Sequence, residues 1–398
     1  MKRTMKIITL TGLLFLTTAD SGATPAIVSG GPANDYEAWI ERLHDGRLMI
    51  VFDRNPDWAS GDLYVAFSSD DGNSWTEEVG IITEPGDQAT LSFVQYDSDL
   101  LRVWYASNEE GSYRIYSASS VDGLSWTQEG EANLGWPDQV QYYDPTVVLE
   151  PDGSLTMSYI VSGDGVYVAH CPPAGSWDTD RVQINNSGFR ARIVKHSNGT
   201  YLCAYHRRTG GPYDYDIFVR QSDDLENWSG EIRLTSNLNS HDPFTGVMPD
   251  GAYLVYYAKY TSPAYNLWYR RSYDGVNWET EEQITADATN NTQPHFLVDA
   301  GSIYLVWAHA VSYPSDHDVY FERFSYGPEP VVDLQIELSG ADALLLWSYD
   351  QPATFKVYWS EEPFGPFDNL QATTTATSLQ LDDIIQWGER FYIVTVVD

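Results

Sequence analysis

The sequence predicts an all-β protein, a six-bladed β-propeller followed by a small β-sandwich, on three observations. Trp75, Trp126, Trp177, Trp228 and Trp278 recur at almost constant spacing along the 398-residue chain. Each closes a polar turn that follows an alternating apolar and polar strand, as "DLYVAFS" leads into "SSDDGNSW". From Val331 onward this period is lost and a different pattern of short strands takes over. A repeat of roughly fifty residues is the length of one four-stranded sheet with its turns, the unit of a propeller.

The chain opens with Lys2, Arg3 and Lys6, an apolar run from Ile7 to Leu16, and small residues up to Ala23. That pattern predicts a secretory leader over residues 1–23, too short to span a bilayer, and hence an extracellular or periplasmic protein. The segment "TPAIVSG" at 24–30 then stands at the spacing of a fourth strand without its first three. Four units begin with two strands joined by an Asp-Gly or Asn-Gly turn: "WIERLHDGRLMIVFD", "PTVVLEPDGSLTMSYI", "RIVKHSNGTYLCAYH" and "FTGVMPDGAYLVYYA". The third strand ends in the Trp turn and a short fourth strand follows, such as "EVGIIT" or "EIRLTS". The sixth unit, "PHFLVDAGSIYLVWAHA" and "DVYFERFS", supplies only three strands. The N-terminal strand is therefore expected to complete it, giving a propeller over 24–328, since an open ring would expose two sheet edges. Residues 331–398, with "DALLLWSYD", "TFKVYWS" and "RFYIVTVVD", predict a sandwich around Trp347.

Net charge is −35, which makes nucleic acid an improbable partner because phosphates would be repelled. No segment after the leader is long and apolar enough to span a membrane, so a soluble monomer is expected. Cys171 and Cys203 are too few for a disulfide scaffold, and one bridge between them stays open. The eight histidines show no metal-ligand spacing, and no cofactor motif is present. Carboxylates clustered on the axis could hold calcium, though nothing in the sequence requires it.

The stretch Ser68 to Trp75, recurring as "SSVDGLSW", "SDDLENW" and "SYDGVNW", resembles the Asp-box of sialidase-like propellers. Its Asp accepts turn amides, its Gly takes a left-handed conformation, and its Trp packs between blades, so it is read as a stabilising turn. Because successive strands alternate in direction, these turns share a face with the Asp-Gly turns. Any axial pocket then lies on the other face. The C-terminal region resembles a short fibronectin type III module.

On that other face the starts of the inner strands can be indexed by counting eight positions back from each Asp-Gly or Asn-Gly turn. The count reaches Glu37, Asp144, Arg190 and Asp242, with Gln293 near the same place in the sixth unit and Ala89 or Thr90 in the second. Trp58, Trp136, Tyr143, Tyr213, Tyr215, Tyr260, Tyr265 and Tyr313 surround them. Flat aromatic faces beside carboxylates suit a carbohydrate ligand. The resemblance to sialidases implies an Arg cluster, a Tyr nucleophile with a Glu, and an Asp acid/base. This chain departs from that set: Glu37 stands at the position of an Arg, Arg190 at that of the Glu, and Gln293 at that of the Tyr. His206 and Arg207 fall where a second Arg is expected, and only Asp62 fits the acid/base loop. The openings "YYDPTVV" and "SHDPFTG" also resemble the Asp-Pro strand starts of propeller furanosidases, which use such an Asp as general base. Two readings stay open: a glycoside hydrolase using Glu37, Asp144, Asp242 and Asp62, or a non-catalytic glycan-binding or structural propeller.

Overall fold

The protein is described by a computed structural model, over residues 25–57, 60–236, 239–299, 302–312, 315–325, 332–339, 342–348, 354–360, 369–382 and 391–397. The leader, Trp58 and Tyr313 lie outside the described residues. Six four-stranded antiparallel sheets form a six-bladed propeller, and no helix occurs among the described residues. No helix there is long and apolar enough to cross a membrane.

The inner strands of blades one to six are Asn34–Arg42, Gln88–Gln95, Tyr142–Leu149, Gly188–Lys195, Ser240–Val247 and Asn290–Asp299. In blades one to five the four strands pair in chain order. Blade six is completed by Ala26–Ile27, which pairs antiparallel with Ser315–Ser325, Ala26 opposite Phe321 and Ile27 opposite Tyr320. Val28 N–H donates to the Val319 carbonyl at 2.8 Å, and Val319 N–H to Ser29 Oγ at 2.9 Å. The ring is thus closed by the N-terminal segment, as the missing fourth strand predicts, and the edge of the sixth sheet is paired.

Packing explains why the strands read as nearly continuous apolar runs. A blade is buried on both faces, so odd and even residues serve different seams. On the second strand of blade one, Met49 and Val51 enter the core shared with blade two, while Leu48, Ile50 and Phe52 enter the core shared with blade six. Six such cores fill the six seams. Full burial of one such side chain is worth about 1.5–3 kcal/mol, so the seams dominate the stability of the ring.

The Trp turns lock these seams. Trp75, Trp126, Trp177, Trp228 and Trp278 each pack into the core shared with the preceding blade. In blade two the Asp122 carboxylate accepts Leu124 N–H at 2.8 Å and Ser125 N–H at 2.7 Å, and Ser120 Oγ accepts Gly123 N–H at 2.9 Å. Gly123 has φ +76°, and a Cβ there would stand 2.9 Å from the Phe67 ring of blade one. Only glycine meets both demands. Blade three, whose turn is "CPPAGSW", carries no such aspartate and places Ala174 at φ 54° instead.

After the propeller come two three-stranded antiparallel sheets. One has the order Val332–Ser339, Asp342–Ser348, Ser378–Leu381, and the other Asn369–Thr374, Thr354–Ser360, Phe391–Val397. Ala343, Leu345, Trp347, Phe355, Val357, Leu381 and Tyr392 from both sheets form one buried cluster. Cys171 and Cys203 are both free thiols, so the bridge left open by the sequence does not form.

Candidate functional site

Every inner strand carries one extra residue near its start. The pairing register slips between Tyr36 and Trp39, Ala89 and Leu91, Tyr143 and Thr146, Phe189 and Arg192, His241 and Phe244, and Thr292 and His295. At these six bulges Glu37, Thr90, Asp144, Arg190, Asp242 and Gln293 adopt left-handed φ of 51°, 44°, 60°, 51°, 51° and 53°. A bulge re-aims its side chain, and a left-handed non-glycine residue costs about 1–3 kcal/mol, a strain characteristic of functional sites. The bulge also settles the second unit, where the count left Ala89 or Thr90 open: the residue is Thr90.

Residues from all six blades meet through these bulges. The Arg190 guanidinium pairs with Glu37 and lies 3.6 Å from Asp144 Oδ1 and 3.7 Å from Asp242 Oδ1. Arg192 lies beside it and reaches Asp144 Oδ1 at 2.8 Å and Glu37 Oε2 at 3.5 Å. Gln293 Nε2 donates to Glu37 Oε1 at 2.7 Å, and Thr90 Oγ1 accepts Asp144 N–H at 3.1 Å. Asp242 N–H donates to His206 Nδ1 at 3.1 Å, and His241 Nδ1 lies 2.8 Å from Asp242 Oδ2. A small cavity at the ring is lined by Glu37, Arg190, Asp242 and Gln293 together with Arg192 and His295.

Three carboxyls face two guanidiniums, and their environments differ. Burial pushes the Glu37 carboxyl above its ordinary value, against the opposing pull of Arg190. Burial also acts on Asp242, yet His241 and Arg190 together hold it well below the usual carboxylate range. Arg190 is raised, its own burial being outweighed by Glu37, Asp144 and Asp242. His206 is pushed down to about 3 by burial and stays neutral. With Nδ1 accepting from the Asp242 backbone, its proton sits on Nε2.

Accessibility separates the ring members. Side chains of Asp144 and Glu37 are 2% and 7% exposed, whereas those of Asp242, His241 and Arg190 are 15%, 19% and 27% exposed. The solvent-facing sector therefore lies on blades four and five. Phe189, Tyr215, Tyr260 and Tyr265 crowd that sector: Phe189 stacks on His206 at 6.0 Å between ring centres, and Tyr265 lies 4.5 Å from His241.

Other expected residues fall elsewhere. Arg207 follows His206 on one strand and so points to the opposite face, where it pairs with Glu231 at 2.9 Å and covers Phe218. Asp62 opens the third strand of blade one, opposite Arg54, with its carboxyl raised by burial and by Asp87. Tyr143 flanks Asp144, its hydroxyl raised by burial and that carboxylate, and Tyr213 is 80% exposed on a blade-four loop. Sequence reasoning missed Arg192, although the alternation in "RAR" places it on the same side as Arg190. It gave His241 no role beyond finding no metal-ligand spacing, and it missed Asp53 and Asp87 behind the ring. Burial and Asp87 push Asp53 well above the ordinary value, and Asp87 accepts Asn55 Nδ2 at 2.9 Å and Gly61 N–H at 2.7 Å. Among the described residues no group of three His, Cys, Asp or Glu side chains is arranged to hold a metal ion.

The six-bladed propeller fold has similar structures among solved proteins. No family model matches the chain, and no curated protein matches it. Among solved structures, a Dyadobacter fermentans protein of unknown function is similar with TM-score 0.61 and 14% identity, over 76% of this chain and 98% of that one. The intramolecular trans-sialidase of Ruminococcus gnavus is similar with TM-score 0.60 and 10% identity, over 78% and 98% of the two chains. An α-L-arabinanase of Penicillium chrysogenum, solved with arabinobiose, is similar with TM-score 0.57 and 14% identity, over 75% and 98%. At these identities the likeness is one of fold.

Proposed function

We propose that this protein is an extracellular glycoside hydrolase of non-sialidase type, acting at the axial ring. One observation carries the reading: Glu37 and Asp242 share Arg190 but are shifted in opposite directions, one toward keeping its proton and the other toward losing it. Such a divergent pair is how a site assigns acid and base. Glu37 is the proton donor, Asp242 the ionised partner, and Asp144 with Arg192 fixes both in place. The recurring Trp turns are Asp-boxes with a structural role, and the two C-terminal sheets form a fibronectin-like sandwich. The aromatic residues of blades four and five offer the sugar a stacking face, to which Tyr213, Tyr143 and Trp58 are further candidates, and Asp62 is a further candidate acid/base. Both guanidiniums already face carboxylates, so a neutral sugar suits the ring better than a sialic acid.

The test is a panel of 4-nitrophenyl furanosides and pyranosides, with a sialoside included, assayed on the parent and on E37Q, D144N and D242N. Turnover of a neutral glycoside is expected, reduced about 10²–10⁴-fold in E37Q, with the sialoside inert. Three amide variants that keep full activity would remove the ring from the reaction. The low exposure of Glu37 and Asp144 favours a second reading, a glycan-binding propeller, which predicts glycan-array binding lost in the variants with no turnover in any of them.

A further inference from the structure

Asp242 is the accessible carboxylate of the ring, but its own surroundings make it a weak base. One oxygen lies 3.7 Å from the Arg190 guanidinium as an ion pair, and the other is in hydrogen-bond contact with His241 Nδ1. A carboxylate held so firmly ionised has little affinity for the proton of an attacking water, and efficient general bases sit closer to the working pH. The imidazole beside it has the opposite character. An ionised carboxylate only accepts hydrogen bonds, so the 2.8 Å contact puts a proton on His241 Nδ1 and leaves the lone pair on Nε2. The His241 side chain is 19% exposed. His206, 6.2 Å away between ring centres, is the contrast: its Nδ1 is occupied by Asp242 N–H, so it offers only a donor.

We propose that His241, oriented by Asp242, is the general base of the axial site, and that Asp242 is a positioning residue. This rests on the hydrolase reading above and deepens it. The water oxygen forms its bond to the anomeric carbon as the glycosidic C–O bond breaks, its electron pair going to the leaving oxygen. The Glu37 carboxyl proton passes to that oxygen, and the water's proton passes to His241 Nε2. The imidazolium so formed is stabilised by Asp242 and returns its proton to solvent, from which Glu37 is reprotonated. A carboxylate–imidazole pair of this kind fixes both tautomer and orientation. The groups facing His241 are Asp242 on its own strand, His206 from blade four and Tyr265 from the third strand of blade five, with Arg190 behind Asp242.

The experiment uses the neutral 4-nitrophenyl glycoside that the parent hydrolyses fastest. H241A and H241N should lose about 10²–10⁴-fold in kcat with little change in KM, and imidazole added to H241A should restore part of the rate. The parent's kcat/KM should fall on the acidic side. That limb should vanish in H241A and move in D242N. Parent-like kcat and pH profile in both His241 variants would overturn the proposal. So would inactive variants with no imidazole rescue and an unchanged acidic limb, since His241 would then merely hold Asp242. A parent that hydrolyses nothing on the panel overturns the hydrolase reading itself, and an active parent with indifferent His241 variants overturns this inference alone.

Discussion

The two faces of the propeller use the same materials, aspartate and left-handed backbone, to different ends. On the turn face Asp122 accepts amides two and three residues away, and the left-handed position belongs to Gly123. On the ring face Asp144 meets Arg192 48 residues away, Glu37 meets Gln293 256 residues away, and the left-handed positions belong to Glu37, Thr90, Asp144, Arg190, Asp242 and Gln293. The turn satisfies itself locally and without strain. The ring holds strained residues in place only because six packed seams over-determine them. Local satisfaction makes a stabilising element, and long-range convergence under strain makes a site.

The comparison breaks most visibly at Arg192. R192M should destabilise the fold by about 3–5 kcal/mol in a urea titration, because the buried Asp144 carboxylate loses its 2.8 Å counter-charge, and it should abolish hydrolysis as well. A loss below 1 kcal/mol would mean the ring is solvated rather than buried. On the turn face G123A should cost about 1–2 kcal/mol, from a left-handed alanine pressed on Phe67, and leave kcat unchanged in the fully folded protein. Altered kcat there would show that the two faces are coupled.

The smallest effect is the most discriminating, because the turn aspartates and Glu37 have opposite pH signs. Asp122, Asp224 and Asp274 are lowered from 3.8 to about 2, chiefly by hydrogen bonds in the first two and against burial in the third. Their contribution is present above 3.8 and fades as pH falls through about 2. Glu37 is raised, so its contribution is present below 4.5 and fades as pH rises through its folded value. In thermal melts across pH 2–7, replacing the three turn aspartates by Asn should flatten the acid side, and E37Q the other side. A shared direction for the two sets would sink the contrast.

The site was partly legible because blades have nearly equal length. Counting back from a glycine turn located Glu37, Asp144, Arg190 and Asp242, all of which the fold brings together. The count was ambiguous in blade two because its turn, "YDSD", lacks glycine and uses Asp99 at φ 63°. Arg207 was misplaced because a one-residue step along a strand reverses the face. His241 was given no role because the histidines show no metal-ligand spacing, and spacing says nothing of a carboxylate–imidazole contact. Its contact with Asp242 depends on the bulge itself.

What the sequence alone determined is the repeating unit: strand alternation, turn chemistry and the missing fourth strand are short-range patterns, and each is satisfied within a few residues or by one strand pairing. Tertiary structure alone decided the charge state and exposure of the ring. Whether Glu37 keeps a proton and Asp242 loses one depends on burial and on Arg190, Arg192 and His241 meeting at the axis, and Coulomb interactions act through space rather than along the chain.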